Sequence, residues 1–289
     1  MAAQPVRGDS HVDHSAALRG PAYEWALWST TVRVVTADPH ALPSARRLIN
    51  AELGRVELAA SRVRRDSEVA TLPTGRRTRI SATLTAVLAA ALRAAHDSDV
   101  AVDPTRAPAL QVVDHAADWR RIDLDQWAQT VFVPRGVELD PDVIARPWAA
   151  DRCASVVAET LDVGVLVSLG GHIATAGPAG GGAWEILVGE HGDHTARRGA
   201  LVAIPTGLAV VTATSETGHR YRTATVVAAE CVTAATWAVA TLADPHAYPE
   251  GLCGRGLPAR LVDADGAVTY CGGWPEDAEL TAAHDPFTR

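Results

Sequence analysis

The stretch from Val163 to Gly189, VGVLVSLGGHIATAGPAGGGAWEILVG, restricts the folds open to this chain more than any other. An apolar run, Val165-Leu166-Val167, feeds a glycine pair, Gly170-Gly171. His172, a short strand-like segment, a glycine-rich turn and a second apolar run from Trp184 to Val188 follow. Short apolar runs bounded by glycine and proline read as buried strands. The two runs are expected to be core strands that carry the glycine pair and one histidine to the end of a sheet. Glycines there let the backbone turn through positive φ or approach a ligand closely. A plain hairpin with a flexible turn is the other reading, and the stretch alone leaves both open.

Around this centre the chain alternates between helical and strand-like segments. Tyr23 to Val35 ends in strand-like alternation, and Pro43 to Ala60 places Leu48, Leu53, Val56 and Ala60 at helical spacing. Asp66, Ser67 and Glu68 collect just beyond that helix; the cluster reads as an N-cap or as part of a site, and residue types favour the cap. A second helix is expected from Ile80 to His96, and a turn at Asp103-Pro104-Thr105. Arg152 to Thr160 is expected to be the helix that leads into the glycine stretch, after the segment Leu139 to Asp151, LDPDVIARPWAAD. Strands are expected at Leu201 to Ile204, Leu208 to Thr212 and Thr223 to Ala228, and a helix at Val232 to Leu242. Near the C-terminus two apolar runs meet at Asp265-Gly266, a strong hairpin turn, and Trp274 is expected to pack back on the core. Residues 1–22 are polar and aperiodic and are expected to be a disordered tail, with 23–289 forming a single domain.

Composition removes several function classes. The formal net charge is -8, which argues against a nucleic-acid partner. Every basic side chain is arginine; the chain has no lysine. No apolar run approaches the ~20 residues of a membrane helix, and the N-terminus lacks a signal-peptide core. A cytoplasmic protein without a membrane partner is therefore expected. Cys153, Cys231, Cys253 and Cys271 show no C-x-x-C spacing, so free, mostly buried thiols are expected rather than a zinc site or disulfide framework. His191 and His194 lie three apart without an evident third ligand, so no metal site is expected there either.

Taken in order, the segments resemble the ApbE family, the FAD:protein FMN transferases. WSTTVRVV is similar to the family's opening "GTT" strand, and SRVRRDSEV to "SRFRxDSEL". Val102 to Thr105 is similar to "VDPTVG", and LDPDVIARPWAAD to "LDLGGIAKGYAAD". VLVSLGGHIATAGP is similar to "VLVNLGGDIAxxGP", and CVTAATWAVATL to "xxxADAxATAL". PARLVDADG and GGWP resemble the endings of actinobacterial members. The resemblance runs from Trp25 to Pro275 and implies an α+β fold: mixed, largely antiparallel sheets flanked by helices around a deep cleft. It also implies a chemistry in which FAD and a divalent metal bind, the pyrophosphate is split, and FMN moves to a Thr or Ser of an acceptor protein.

The departures fall on the positions that carry this chemistry. The family's metal-binding Asp falls on Ala235 and its Thr on Val239, neither of which offers a side-chain oxygen. Asp142 and Val143 replace a glycine pair, and Pro147 stands in the same segment. The "HHIxDPxTG" block is missing, with Thr217-Gly218 its only remnant. The reading is a divergent member that has lost FMN transfer, with a metal-independent enzyme acting on a small molecule in the old flavin cleft. Its expected catalytic residues are His172, Asp142 and Asp103. Gly170, Gly171, Ser67, Glu68, Thr105, Arg146 and Trp148 are expected to border the ligand. This reading requires no cofactor and no metal, although the resemblance allows FAD. An authentic magnesium-dependent transferase with a protein acceptor, or a flavin-binding pseudoenzyme, are the alternatives. So is the simpler view that His172 is structural and Asp142 only caps a turn. His219, after a turn, is a weaker candidate.

Overall fold

The computed structural model describes residues 21–99, 101–105, 118–178, 182–189, 199–215 and 220–274. The expected tail up to residue 20, His191, His194, His219 and Thr217-Gly218 lie outside the described residues. The chain opens with strands β1 (Ala22–Leu27) and β2 (Thr30–Thr36), then helices α1 (Leu42–Ala60) and α2 (Glu68–Thr71). Strand β3 (Arg77–Arg79), helix α3 (Ala82–Asp97), and strands β4 (Asp123–Asp125) and β5 (Thr130–Phe132) follow. Helix α4 (Asp142–Leu161) leads to β6 (Val165–Leu169), β7 (His172–Ala176), β8 (Ala183–Gly189), β9 (Gly199–Pro205), β10 (Ala209–Thr214) and β11 (Tyr221–Ala228). Helices α5 (Cys231–Ala243) and α6 (Tyr248–Gly254) precede the final hairpin of β12 (Ala259–Asp263) and β13 (Val268–Cys271).

Eight strands form the main sheet in the order β1-β2-β6-β7-β10-β11-β12-β13, each antiparallel to its neighbours. Period-two alternation divides its residues between two cores. Val32, Val34, Val167, Ala174, Val211, Val226 and Leu261 join the cluster that includes α1, α3, α4 and α5. Val35, Leu166, Ile173, Val210 and Val227 join a second cluster on the opposite face. That second face is covered by the β8–β9 ribbon through Ile186, Val188, Val202 and Ile204, together with Trp274. The chain is thus α+β, with antiparallel sheets flanked by helices. No helix among the described residues is long and apolar enough to cross a membrane.

Two expectations are corrected here. The second apolar run of the glycine stretch does not join the main sheet. Its partner is β9, and the glycine pair instead closes the short β6–β7 hairpin. In β8, Glu185 is exposed while Ile186 and Val188 are buried against the main sheet, so that face of the run serves as a cover. Helix α4 begins at Asp142 rather than Arg152, so Pro147 lies inside a helix and not in a turn. Its missing N–H leaves the Val143 carbonyl without its helical donor. Burial of Ile144, Ala145, Ala149, Ala150, Cys153, Ala154 and Val157 along one face outweighs that loss.

Candidate active site

One end of the main sheet gathers three backbone features. The β1–β2 turn places Trp28 and Ser29 at φ 50° and 58°, a left-handed pair that only a forced two-residue hairpin produces outside glycine. Beside it Gly170 turns at φ 62°, and a Cβ there would lie 2.5 Å from Thr30 Oγ1, so only glycine fits. Gly170 N donates to Thr31 O at 3.0 Å, and Gly171 O accepts from Thr212 N at 3.0 Å. His172, the first residue of β7, lies opposite Leu169 and Val211. Its Nδ1 is 3.1 Å from the Leu169 carbonyl, which accepts only if Nδ1 carries the proton. In the neutral ring that contact assigns Nε2 as the basic nitrogen.

A pocket of about 130 Å³ opens at this end. Trp28 and Ser29 form one wall, the last turns of α1 with Ser61 and Val63 a second, and Asp142, Ala145 and Arg146 a third. Asp142 is in the first turn of α4, where the helix dipole favours a carboxylate, and Arg146 one turn later faces it at 3.9 Å. Arg62 holds the walls together: its guanidinium donates to Leu139 O at 2.9 Å and to Glu138 at 3.2 Å. The approach to α4 is thereby tied to the end of α1.

The remaining expected site residues are placed elsewhere or committed to local structure. Ser67 is the N-cap of α2, accepting from Ala70 N at 3.1 Å, and Glu68 accepts from Ser81 N at 2.7 Å and Ser81 Oγ at 2.6 Å, where α3 begins. Asp103 is buried and accepts from Thr105 N at 2.8 Å and Thr105 Oγ1 at 2.6 Å; its buried Oδ2 has no hydrogen-bond partner among the described residues. Pro104 O accepts from Asp140 N, which sets this turn against the approach to α4. Trp148 packs on the apolar cluster that includes Val102 and Ile144. The structure therefore brings Asp142 and Arg146 into one pocket, puts Gly170, Gly171 and His172 at the same sheet end, and leaves Ser67, Glu68, Asp103, Thr105 and Trp148 outside the pocket wall.

Three residues of this region escaped the sequence reading. Trp28 and Ser29 gave one signal: "STT" stands against the family's "GTT", so Ser29 occupies a glycine position. Asp151 gave none. From α4 its carboxylate accepts from Cys231 N at 2.8 Å and Val232 N at 3.2 Å, capping the start of α5 across 80 residues of sequence. Burial pushes its pKa up to about 7, against the two amide hydrogen bonds that lower it.

The sequence profile of the ApbE family matches residues 28–222. The chain belongs to the ApbE family. The ApbE fold is also evident in solved structures. The apo form of Pseudomonas stutzeri flavinyl transferase ApbE superposes with a TM-score of 0.71 at 18% identity, over 91% of this chain and 97% of that one. The ApbE protein of Thermotoga maritima gives 0.72 at 19% identity, over 87% and 97%. Flavin transferase ApbE from Vibrio cholerae gives 0.66 at 16%, over 90% and 99%. At such identities the likeness speaks for the fold. No curated protein sequence matches the chain.

The ApbE resemblance assigns a divalent metal to the positions of Ala235 and Val239. Ala235 is 1% exposed within the main core. Val239 packs on the cluster of Val102, Ile144 and Val232, so hydrocarbon fills the corner where a hard cation needs oxygen. Among the described residues no group of three His, Cys, Asp or Glu side chains converges on a common point. These residues do not fit the metal.

Proposed function

We propose that this ApbE-family protein has left FAD:protein FMN transfer and acts as a metal-independent enzyme on a small molecule bound in the former flavin cleft. The packing of Val239 on the apolar cluster that holds Val102, Ile144 and Val232, where the family chemistry calls for a metal ligand, carries the reading. The pocket supports it. About 130 Å³ is below the roughly 300–1,000 Å³ of drug-sized ligand sites, and suits a compact polar molecule better than a dinucleotide. In this proposal Arg146 anchors an anionic group of the ligand, and Asp142 orients it. His172, held by Leu169, transfers a proton through Nε2. Gly170 and Gly171 keep the backbone close, while Asp103 with Thr105, and Trp148, support the walls from behind. Ser67 and Glu68 shape the site through the helix caps.

Family membership favours a second reading, a transferase that uses FAD, magnesium and a protein acceptor. One assay separates the two. The protein is incubated with FAD, magnesium and a Thr-containing acceptor, and the acceptor is examined for covalent flavin fluorescence. No labelling is expected, with or without magnesium; labelled acceptor would establish the second reading and end the first. Retention of ligand in the purified protein, lost in Arg146→Ala, is the positive result that the first reading requires.

A further inference from the structure

The pocket beside the β1–β2 turn carries more negative charge than its Asp142–Arg146 pair balances. Glu57, one turn before Ser61, lines it from the α1 side. Ser61 N donates to Glu57 O at 3.3 Å, so this residue belongs to the ordered end of the helix. Its side chain is 34% exposed, and among the described residues no group donates a hydrogen bond to its carboxylate. The cation beside it is Arg64, whose Nη1 is 4.0 Å away, beyond hydrogen-bond reach. Arg64 is already committed, since its Nε and Nη2 donate to the two carboxylate oxygens of Asp66 at 2.8 and 3.0 Å. Asp142, by contrast, has Arg146 one turn along its own helix at 3.9 Å. The pocket thus holds two carboxylates and one guanidinium, and the carboxylate left over is Glu57. Two serine hydroxyls and the apolar side chains of Trp28, Val56, Ala60, Val63 and Ala145 complete the lining.

We propose that this pocket takes an amino acid, with the ligand's carboxylate at Arg146, its ammonium at Glu57 and its apolar part against the hydrocarbon of the lining. The inference rests on the small-molecule reading of the pocket given above and names the class of ligand. Coulomb's law selects that class. An anion drawn to Arg146 meets the Glu57 carboxylate inside the same cavity of about 130 Å³, where little water fits to screen the two. A ligand that also offers an ammonium turns this repulsion into a charge-assisted N–H···O bond. The ammonium has three donors, and the Glu57 carboxylate has two oxygens to accept them. A bare amine satisfies Glu57 but brings nothing to Arg146. A bare acid satisfies Arg146 but leaves Glu57 as a second negative charge. A dinucleotide, with its phosphates and no ammonium, fits the balance least well.

The test measures binding to the full-length chain by thermal shift and titration calorimetry. The probes are the standard amino acids, β-alanine and γ-aminobutyrate. Each one that binds is compared with the matching acid that lacks the amino group and the matching amine that lacks the carboxylate. At least one amino acid is expected to bind, and both of its truncated analogues to bind about tenfold more weakly or worse. Glu57→Gln is expected to keep the unliganded melting temperature and to erase the preference, so that the amino acid and its deaminated acid bind alike. Arg146→Ala is expected to lose both of these carboxylates. A panel in which nothing binds, or a preference for the amino acid that survives in Glu57→Gln, would overturn the proposal. So would a deaminated acid that binds the wild-type protein as tightly as its amino acid; if Arg146→Ala abolishes that binding, the anion anchor and the small-molecule reading stand without the ammonium site. Failure of the reading itself shows separately, as covalent flavin on the acceptor in the transferase assay.

Discussion

His172 and Asp151 pose the sharpest questions at the scale of single residues. If His172 transfers a proton, His172→Ala abolishes turnover or ligand binding and changes stability by no more than about 1–2 kcal/mol. His172→Asn can still donate an amide N–H to the Leu169 carbonyl, so it keeps the anchor but not the chemistry. A purely structural histidine reverses this pattern: Ala lowers the melting temperature and Asn rescues it with function intact. Asp151 carries a pH signature. Its folded pKa, near 7, is above the ordinary carboxylate value, so between about pH 4 and 7 the folded chain holds a proton that the unfolded chain has released. Stability should therefore fall as pH rises through that window, by up to about 1.4 kcal/mol per unit, and level off above it. Asp151→Asn should flatten the curve, as denaturant melts at pH 5 and pH 8 can show. An unchanged slope in the variant would assign the titration to another group.

Among the elements, the β6–β7 hairpin and its cover are the most informative. Leu166 is fully buried and belongs to the cluster beneath the β8–β9 ribbon. Leu166→Ala should cost roughly 2–5 kcal/mol, since it removes contacts on the face that the ribbon was made to cover. Val143→Ala, on the 45% exposed start of α4, should stay within about 0.5 kcal/mol. Equal losses from the two, measured by chemical denaturation, would mean that the ribbon packs less tightly on the sheet than these contacts require. The same elements mark how far the sequence could be read. Strand-like alternation identified β2, the strands β10 and β11 were also expected, and glycine with proline identified the turns. Apolar continuity from Trp184 to Val188 did not distinguish a sheet strand from a cover. Pro147 disguised the first ten residues of α4 because a helix breaker in isolation is tolerated once one face is deeply buried.

For the whole molecule, one apolar cluster draws residues from Val32 to Cys271, so early helices and the late hairpin share a core. We expect limited proteolysis to trim the N-terminal segment and leave one resistant fragment from about Tyr23 to Trp274 that unfolds in a single transition. Two separately stable halves would refute a single domain for 23–289. The transferase assay belongs to this scale as well, because FMN transfer needs the metal corner, the acceptor and the cleft together.

Residue identity and motif order were enough to determine the family, with the α+β class that the resemblance implies, and the absence of side-chain oxygen at Ala235 and Val239. Each of these depends on what a residue is or on neighbours a few positions away. The tertiary structure alone decided the rest. It sent β8 to the ribbon, made a pocket from the β1–β2 turn, α1 and α4, and set Asp151 on the first amides of α5. These are contacts between segments far apart in the chain, chosen by which apolar faces must be covered, and no pattern within any one segment encodes them.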